Sequence, residues 1–176
     1  MKVHIRGKYD RLGDLVPRRF PLILAGENQA AITVGSGRLE LGRWLGTTTN
    51  PLTARVIMNR LWQHHFGEGI VRTPSNFGFL GDRPSHPELL DWLASTFMAG
   101  ESAWSLKRMH KLILMSNTFQ QSAKASVKAL RYDADNRLFS RMSRRRLEAE
   151  AIRDSILSVS GRLESNRACV VAKGYP

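Results

Sequence analysis

The 176-residue sequence carries 27 lysines and arginines against 15 aspartates and glutamates, a net charge of +12, with 42% hydrophobic and 24% charged residues. This is ordinary usage for one globular domain and excludes a disordered or fibrous chain. The charge attracts nucleic acid, anionic lipid or an acidic protein without choosing among them, and it also fits a solvated surface or one that faces an acidic neighbouring domain.

A single cysteine, Cys169, excludes an internal disulfide framework, a four-cysteine zinc site and a c-type haem attachment. No run approaches the ~18 apolar residues of a membrane span. The N-terminus MKVHIRGKYDRLGDLVPRR lacks the apolar stretch of a signal peptide, so the chain as written predicts a cytoplasmic product.

Residues 1–37 are rich in Gly, Pro and Arg, with VHIRGKY and FPLILAG as strand-like runs, and read as an extended arm or the end of a preceding domain. Arg38 to Leu45 predicts one short helix with Leu39, Leu41, Trp44 and Leu45 on its apolar side. Asn50-Pro51 is a strong helix start, a capping side chain followed by a proline whose missing N–H is not needed there. That helix runs to about Phe66. Ala54, Met58, Leu61, Trp62 and His65 share one face, Arg55, Asn59 and Gln63 stack on another, and Gly67 or Gly69 ends it.

The stretch IVRTPSNFGFLGDRP from Ile70 to Pro84 is a loop by its Pro and Gly content, and Phe77, Phe79 and Leu80 predict that it packs down. Ser85-His86-Pro87-Glu88 has capping-box spacing and opens a helix carrying Leu89, Leu90, Trp92, Leu93 and Phe97, which stops near Gly100. Ser105 caps a third helix with Leu106, Met109, Ile113 and Met115 buried and Lys107, Arg108 and Lys111 outward. Residues 122–135 read as a linker or loop. A final helix over about Ser143 to Ser160 carries Leu147, Ala151, Ile152, Ile156 and Val159 as a stripe, with Arg144–Glu148 and Arg146–Glu150 spaced for surface ion pairs. No repeat or heptad array is present.

The segments NPLTARVIMNRLWQHHFGEGIVRTPSNFGFLGDRPSHPELLDWLA, WSLKRMHKLILMSNTFQQS and NRLFSRMSRRRLEAEAIRDSILSVSGRL together resemble the planctomycete-specific domain of unknown function found in planctomycete cytochrome-c-associated proteins. The resemblance covers residues 38–163. It implies a domain set in large exported or envelope proteins, often behind a cytochrome-c-like domain. Residues 164–176, ending ACVVAKGYP, do not continue the pattern and read as a divergent tail, as expected of a truncated or frameshifted copy.

Adjacent His64 and His65 point about 100° apart on a helix and do not share one tetrahedral ion, and there is no HExxH. His86 and His110 are the remaining partners. The expectation is no metal and no cofactor in this chain, with His65 a partly buried, hydrogen-bonded core residue. Nucleophile-elbow, Walker and dinucleotide motifs are absent.

The polar residues with the best claim to a site are Arg55, Asn59 and Arg60 on the long helix with Arg72, Thr73 and Asn76 in the loop after it. If Arg55 and Asn59 face that loop they form a fork of donors for carboxylates or backbone carbonyls, and either tie loop to helix or hold an anion. Arg144, Arg145 and Arg146, the densest positive charge, spread around a helix interleaved with Glu148 and Glu150, which argues against groove binding.

The sequence therefore predicts a mainly α bundle of about four helices with an extended N-terminal arm. It acts as a non-catalytic or accessory module of a multidomain protein, with other domains of that protein or an acidic protein as partner. Two alternatives remain: part of a hydrolytic or redox enzyme completed by other regions, or a basic nucleic-acid or polyanion binder.

Overall fold

A computed structural model describes residues 2–33 and 35–163, so the tail assigned to residues 164–176 lies outside the described residues. The chain is mainly α. It packs as two units, Met1–Ser143 and Arg144–Pro176. No helix among the described residues is long and apolar enough to cross a membrane.

The arm is more structured than an extended segment. Strand β1 (Lys2–His4) pairs antiparallel with β2 (Leu12–Leu15), Lys2 opposite Leu15 and His4 opposite Leu12. The FPLILAG run is not a strand: Leu22–Ala25 forms the single helical turn α1, closed by Gly26 at φ 71°. Leu and Ala favour a helix, and Pro21 cannot donate to a sheet ladder. Helix α2 (Arg38–Leu45) lies where the sequence places it, but Leu39, Leu41 and Leu45 stay exposed. Trp44 alone among its apolar residues finds a stacked aromatic partner, with its ring 4.8 Å from Phe20 and nearly parallel to it.

Helix α3 (Thr53–Phe66) is the centre of the core. Asn50 Oδ1 accepts from the backbone N–H groups of Leu52 and Thr53 at 3.0 and 3.1 Å, so the cap read from Asn50-Pro51 is made, with the Pro51–Leu52 turn between it and the regular helix. Ala54, Met58, Leu61, Trp62 and Phe66 pack against Leu90, Leu93, Ala94 and Phe97 of α4 (Pro87–Met98) and Met109 and Ile113 of α5 (Leu106–Leu114). Gly67 at φ 94° ends α3, its N–H bonding the carbonyl of Gln63. Residues reach φ > 0 there cheaply only without a Cβ.

Three expectations about these helices change. The capping box at Ser85 is not formed: α4 starts after His86 with no side-chain cap, and Ser85 Oγ bonds the Ile70 carbonyl and His86 Nδ1 instead. Leu106 and Met115 are exposed, while Met109 and Ile113 are buried and Leu112 packs partly against the core; Trp92 of α4 is half exposed. Arg108, read as outward, returns to the Ala99 carbonyl at 2.9 Å. Ser105, by contrast, caps α5 as read, accepting from the Arg108 N–H.

Residues 122–135, read as a linker or loop, contain one short helix. Helices α6 (Asn117–Gln120) and α7 (Val127–Tyr132) have serine caps at Ser116 and Ser126. The chain then turns back so that Phe139 packs edge-on to Trp62 at 5.2 Å and near Phe66 at 5.5 Å.

In the second unit, α8 spans Ala149–Val159, later than the predicted start at Ser143. Arg144, Arg145 and Arg146 are therefore exposed on non-helical backbone, and the spacing invoked for Arg144–Glu148 and Arg146–Glu150 does not apply. A helix start inside an arginine run places positive charge at the positive end of the helix dipole, whereas starting at Ala149 places Glu148 and Glu150 there. Ile152, Ile156 and Val159 are exposed.

Candidate functional site

The polar constellation between α3 and its following loop resolves into separate structural tasks. Asn59 is fully buried. Its Nδ2 donates to the Val71 carbonyl at 3.0 Å and its Oδ1 accepts from the Val71 N–H at 2.8 Å. One side chain thus satisfies both main-chain groups of a buried loop residue, which no regular element serves. Gly69 completes the arrangement: a Cβ there would lie 2.6 Å from the Val71 oxygen and 2.7 Å from Asn59 Nδ2.

Arg55 does not join Asn59. Its Nε meets Asp91 Oδ1 on α4 at 2.6 Å, and a terminal nitrogen donates to the Pro51 carbonyl. The hydrogen bond from Arg55 holds the Asp91 carboxyl below its usual range; partial burial opposes this, and the guanidinium charge adds to it. The same hydrogen bond raises the Arg55 guanidinium. The predicted fork is therefore split, Asn59 bonding the loop and Arg55 bonding α4.

Arg72 bridges Glu68 and donates to the Asp135 carbonyl at 3.3 Å, tying the loop to the turn after α7. Thr73 and Asn76 organise the loop internally. Thr73 Oγ1 donates to the Asn76 carbonyl and accepts from the Asp82 N–H, both at 2.9 Å, and Asn76 Oδ1 accepts from Gly78 N–H at 3.0 Å. Arg60 is exposed and apart from this network.

The loop packs down at its start, where Ile70 and Val71 are buried, but not at its tip. Phe77 lies against the core, but Phe79 and Leu80 are 102% and 85% exposed at its tip. Gly81 lets the tip form, since a Cβ at that position would sit 2.1 Å from the Asn76 oxygen. The loop is internally bonded and presents two large apolar side chains outward.

The histidines separate in the same way. His65 is half-buried and its Nε2 lies 2.9 Å from His110 Nδ1, joining α3 to α5 with the Phe119 ring edge-on. His86 sits beside Phe139. Among the described residues no three His, Cys, Asp or Glu side chains converge to hold a metal. Trp62 Nε1 is buried without a hydrogen-bond partner.

Sequence reasoning missed the turn after α7. The buried Asp133 carboxylate accepts from the N–H groups of Arg137 and Leu138 at 2.7 and 3.1 Å. Arg141 donates to the carbonyls of Asp133 and Ala134. Asn136, at φ 52°, donates to the Arg141 carbonyl. The signal was an aromatic residue, Phe139, within a run of the turn formers Asp133, Asp135 and Asn136.

No curated protein and no solved structure matches the chain. One family model does, over residues 37–171, from the turn before α2 past the end of α8. Most of the chain is thus covered, and it belongs to the PSD1 family, proteins of unknown function (DUF1553).

Proposed function

We propose that the chain is a non-catalytic accessory module of a multidomain protein, acting by docking apolar surface against another domain or an acidic protein partner. The observation that carries this reading is the allocation of its polar residues. Asn59, Arg55, Arg72, Thr73 and Asn76 all have structural partners, while Phe79 and Leu80 are held in solvent by a bonded loop. Large apolar side chains held together in water mark interaction surfaces. Placement in a cytochrome-associated envelope protein rests on the sequence resemblance. Sedimentation velocity with a hydrophobic dye tests the docking role: concentration-dependent association and dye binding support it, and a monomer that binds no dye opposes it.

A second reading, binding of nucleic acid or another polyanion, is favoured by one observation. Arg144, Arg145 and Arg146 are exposed on non-helical backbone, so the helical dispersion that argued against a phosphate-tracking run does not apply. Binding to heparin or DNA that falls steeply with salt, and is lost on replacing these arginines by alanine, would select this reading.

A further inference from the structure

The arm contains a cavity that neither reading uses. Strand β1, residues 16–21, Ile32, the turn at Ser36 and Gly37, and Leu41 of α2 line an open groove of about 580 Å³, a volume typical of small-molecule sites. Its wall is apolar, from Val3, Val16, Phe20, Ile32 and Leu41, and its charged lining is of one sign: Lys2, Arg18 and Arg19, with His4 beside them. No carboxylate is among its described lining residues, and His4 and Ser36 are the neutral side chains there able to hydrogen-bond.

The wall is held in place before any ligand arrives. Gln29 clamps the main chain of Phe20, accepting from its N–H at 2.7 Å and donating to its carbonyl at 3.1 Å. The Phe20 ring is stacked on Trp44. Arg18 is tethered by a hydrogen bond to the Gly35 carbonyl, which fixes one cation near the lining. A preformed apolar wall with localised positive charge suits a ligand that has one anionic end and an apolar body. A peptide or nucleotide carries many neutral polar groups, and this lining offers them few partners.

We infer that the cavity binds one amphiphilic carboxylate, with its alkyl chain against Phe20, Ile32 and Leu41 and its carboxylate at Arg18 and Arg19. The test is titration of the full chain with 11-(dansylamino)undecanoic acid, followed by displacement with dodecanoate or dodecanol. The expected result is one saturable site, with dodecanoate displacing the probe at least about tenfold better than dodecanol. Arg19→Ala, a change at an exposed side chain, weakens binding severalfold; Leu41→Trp, which fills the space, removes it. Arg60→Ala, which subtracts the same charge elsewhere, leaves binding unchanged. Equal displacement by the alcohol, or equal weakening by Arg60→Ala, overturns the inference. A signal seen only with anionic phospholipid vesicles also overturns it, and assigns the arm to a membrane surface.

Discussion

Asn59 and Val71 are joined by two hydrogen bonds of opposite sense, 3.0 Å from the amide nitrogen to the carbonyl and 2.8 Å from the backbone N–H to the amide oxygen. This pair fixes the loop to α3 and uses the buried polar residue with the best claim to chemistry. Removing the side chain strands two buried main-chain groups, each costing about 1–3 kcal/mol. Asn59→Ala is therefore expected to destabilise the fold by about 3 kcal/mol in urea denaturation. A loss below about 1 kcal/mol would mean that water replaces the clamp.

Gly69 is coupled to that clamp by contact. Gly69→Ala places a methyl group against the Val71 oxygen and the Asn59 amide, and is expected to cost about 2 kcal/mol through overpacking. Because Asn59→Ala vacates part of that space, the double variant should lose less than the sum of the single losses. Strict additivity in a double-mutant cycle would place the strain elsewhere.

How much of this was legible depended on how local the cause was. The Asn50 cap, the Ser105 cap and the buried face of α3 follow from spacing within a few residues, and the sequence displays them directly. Ser85 also had the right spacing, but the Ile70 carbonyl, fifteen residues away in the chain, and the neighbouring His86 ring took its hydroxyl. Phe79 and Leu80 were read as packed down from their residue type alone, yet burial needs a partner surface, and none among the described residues covers them. The turn from Asp133 to Arg141 was hidden because side-chain bonds to the main chain hold it without periodicity. The Asn59 clamp was foreseeable as a tie between helix and loop. Val71 as its partner, and the departure of Arg55 to Asp91, were not.

The two serines separate in a stability measurement. Ser105→Ala removes a formed cap and is expected to cost about 1 kcal/mol. Ser85→Ala removes no cap and should cost about half as much, through its long hydrogen bond to Ile70. Equal losses, or the reverse order, would restore the capping box at α4.

The Arg55–Asp91 pair has a pH signature. The Asp91 carboxyl is held below its usual value, so its contribution is present above the unfolded value of about 4 and fades as pH falls through the lower folded value. The Asp91 side chain is 56% exposed, and solvent screening limits the pair to about 0.5 kcal/mol. Asp91→Asn should lower the urea midpoint slightly at pH 7, and the difference from the parent chain should shrink as pH falls below about 4. A difference that persists undiminished at pH 2 would have to come from packing.

The central claim is that exposed apolar residues, and not the polar constellation, carry the function. The most direct measurement compares Phe79→Ser/Leu80→Ser with Arg60→Ala in the full chain, reading hydrophobic-dye binding and sedimentation velocity over a concentration series. The account predicts that the apolar pair lowers both dye binding and association while leaving the melting temperature within about 2 °C, since neither side chain is in the core. It predicts that the arginine variant leaves dye binding and association intact. Unchanged dye binding and association in the apolar variant, with loss in the arginine variant, would contradict it.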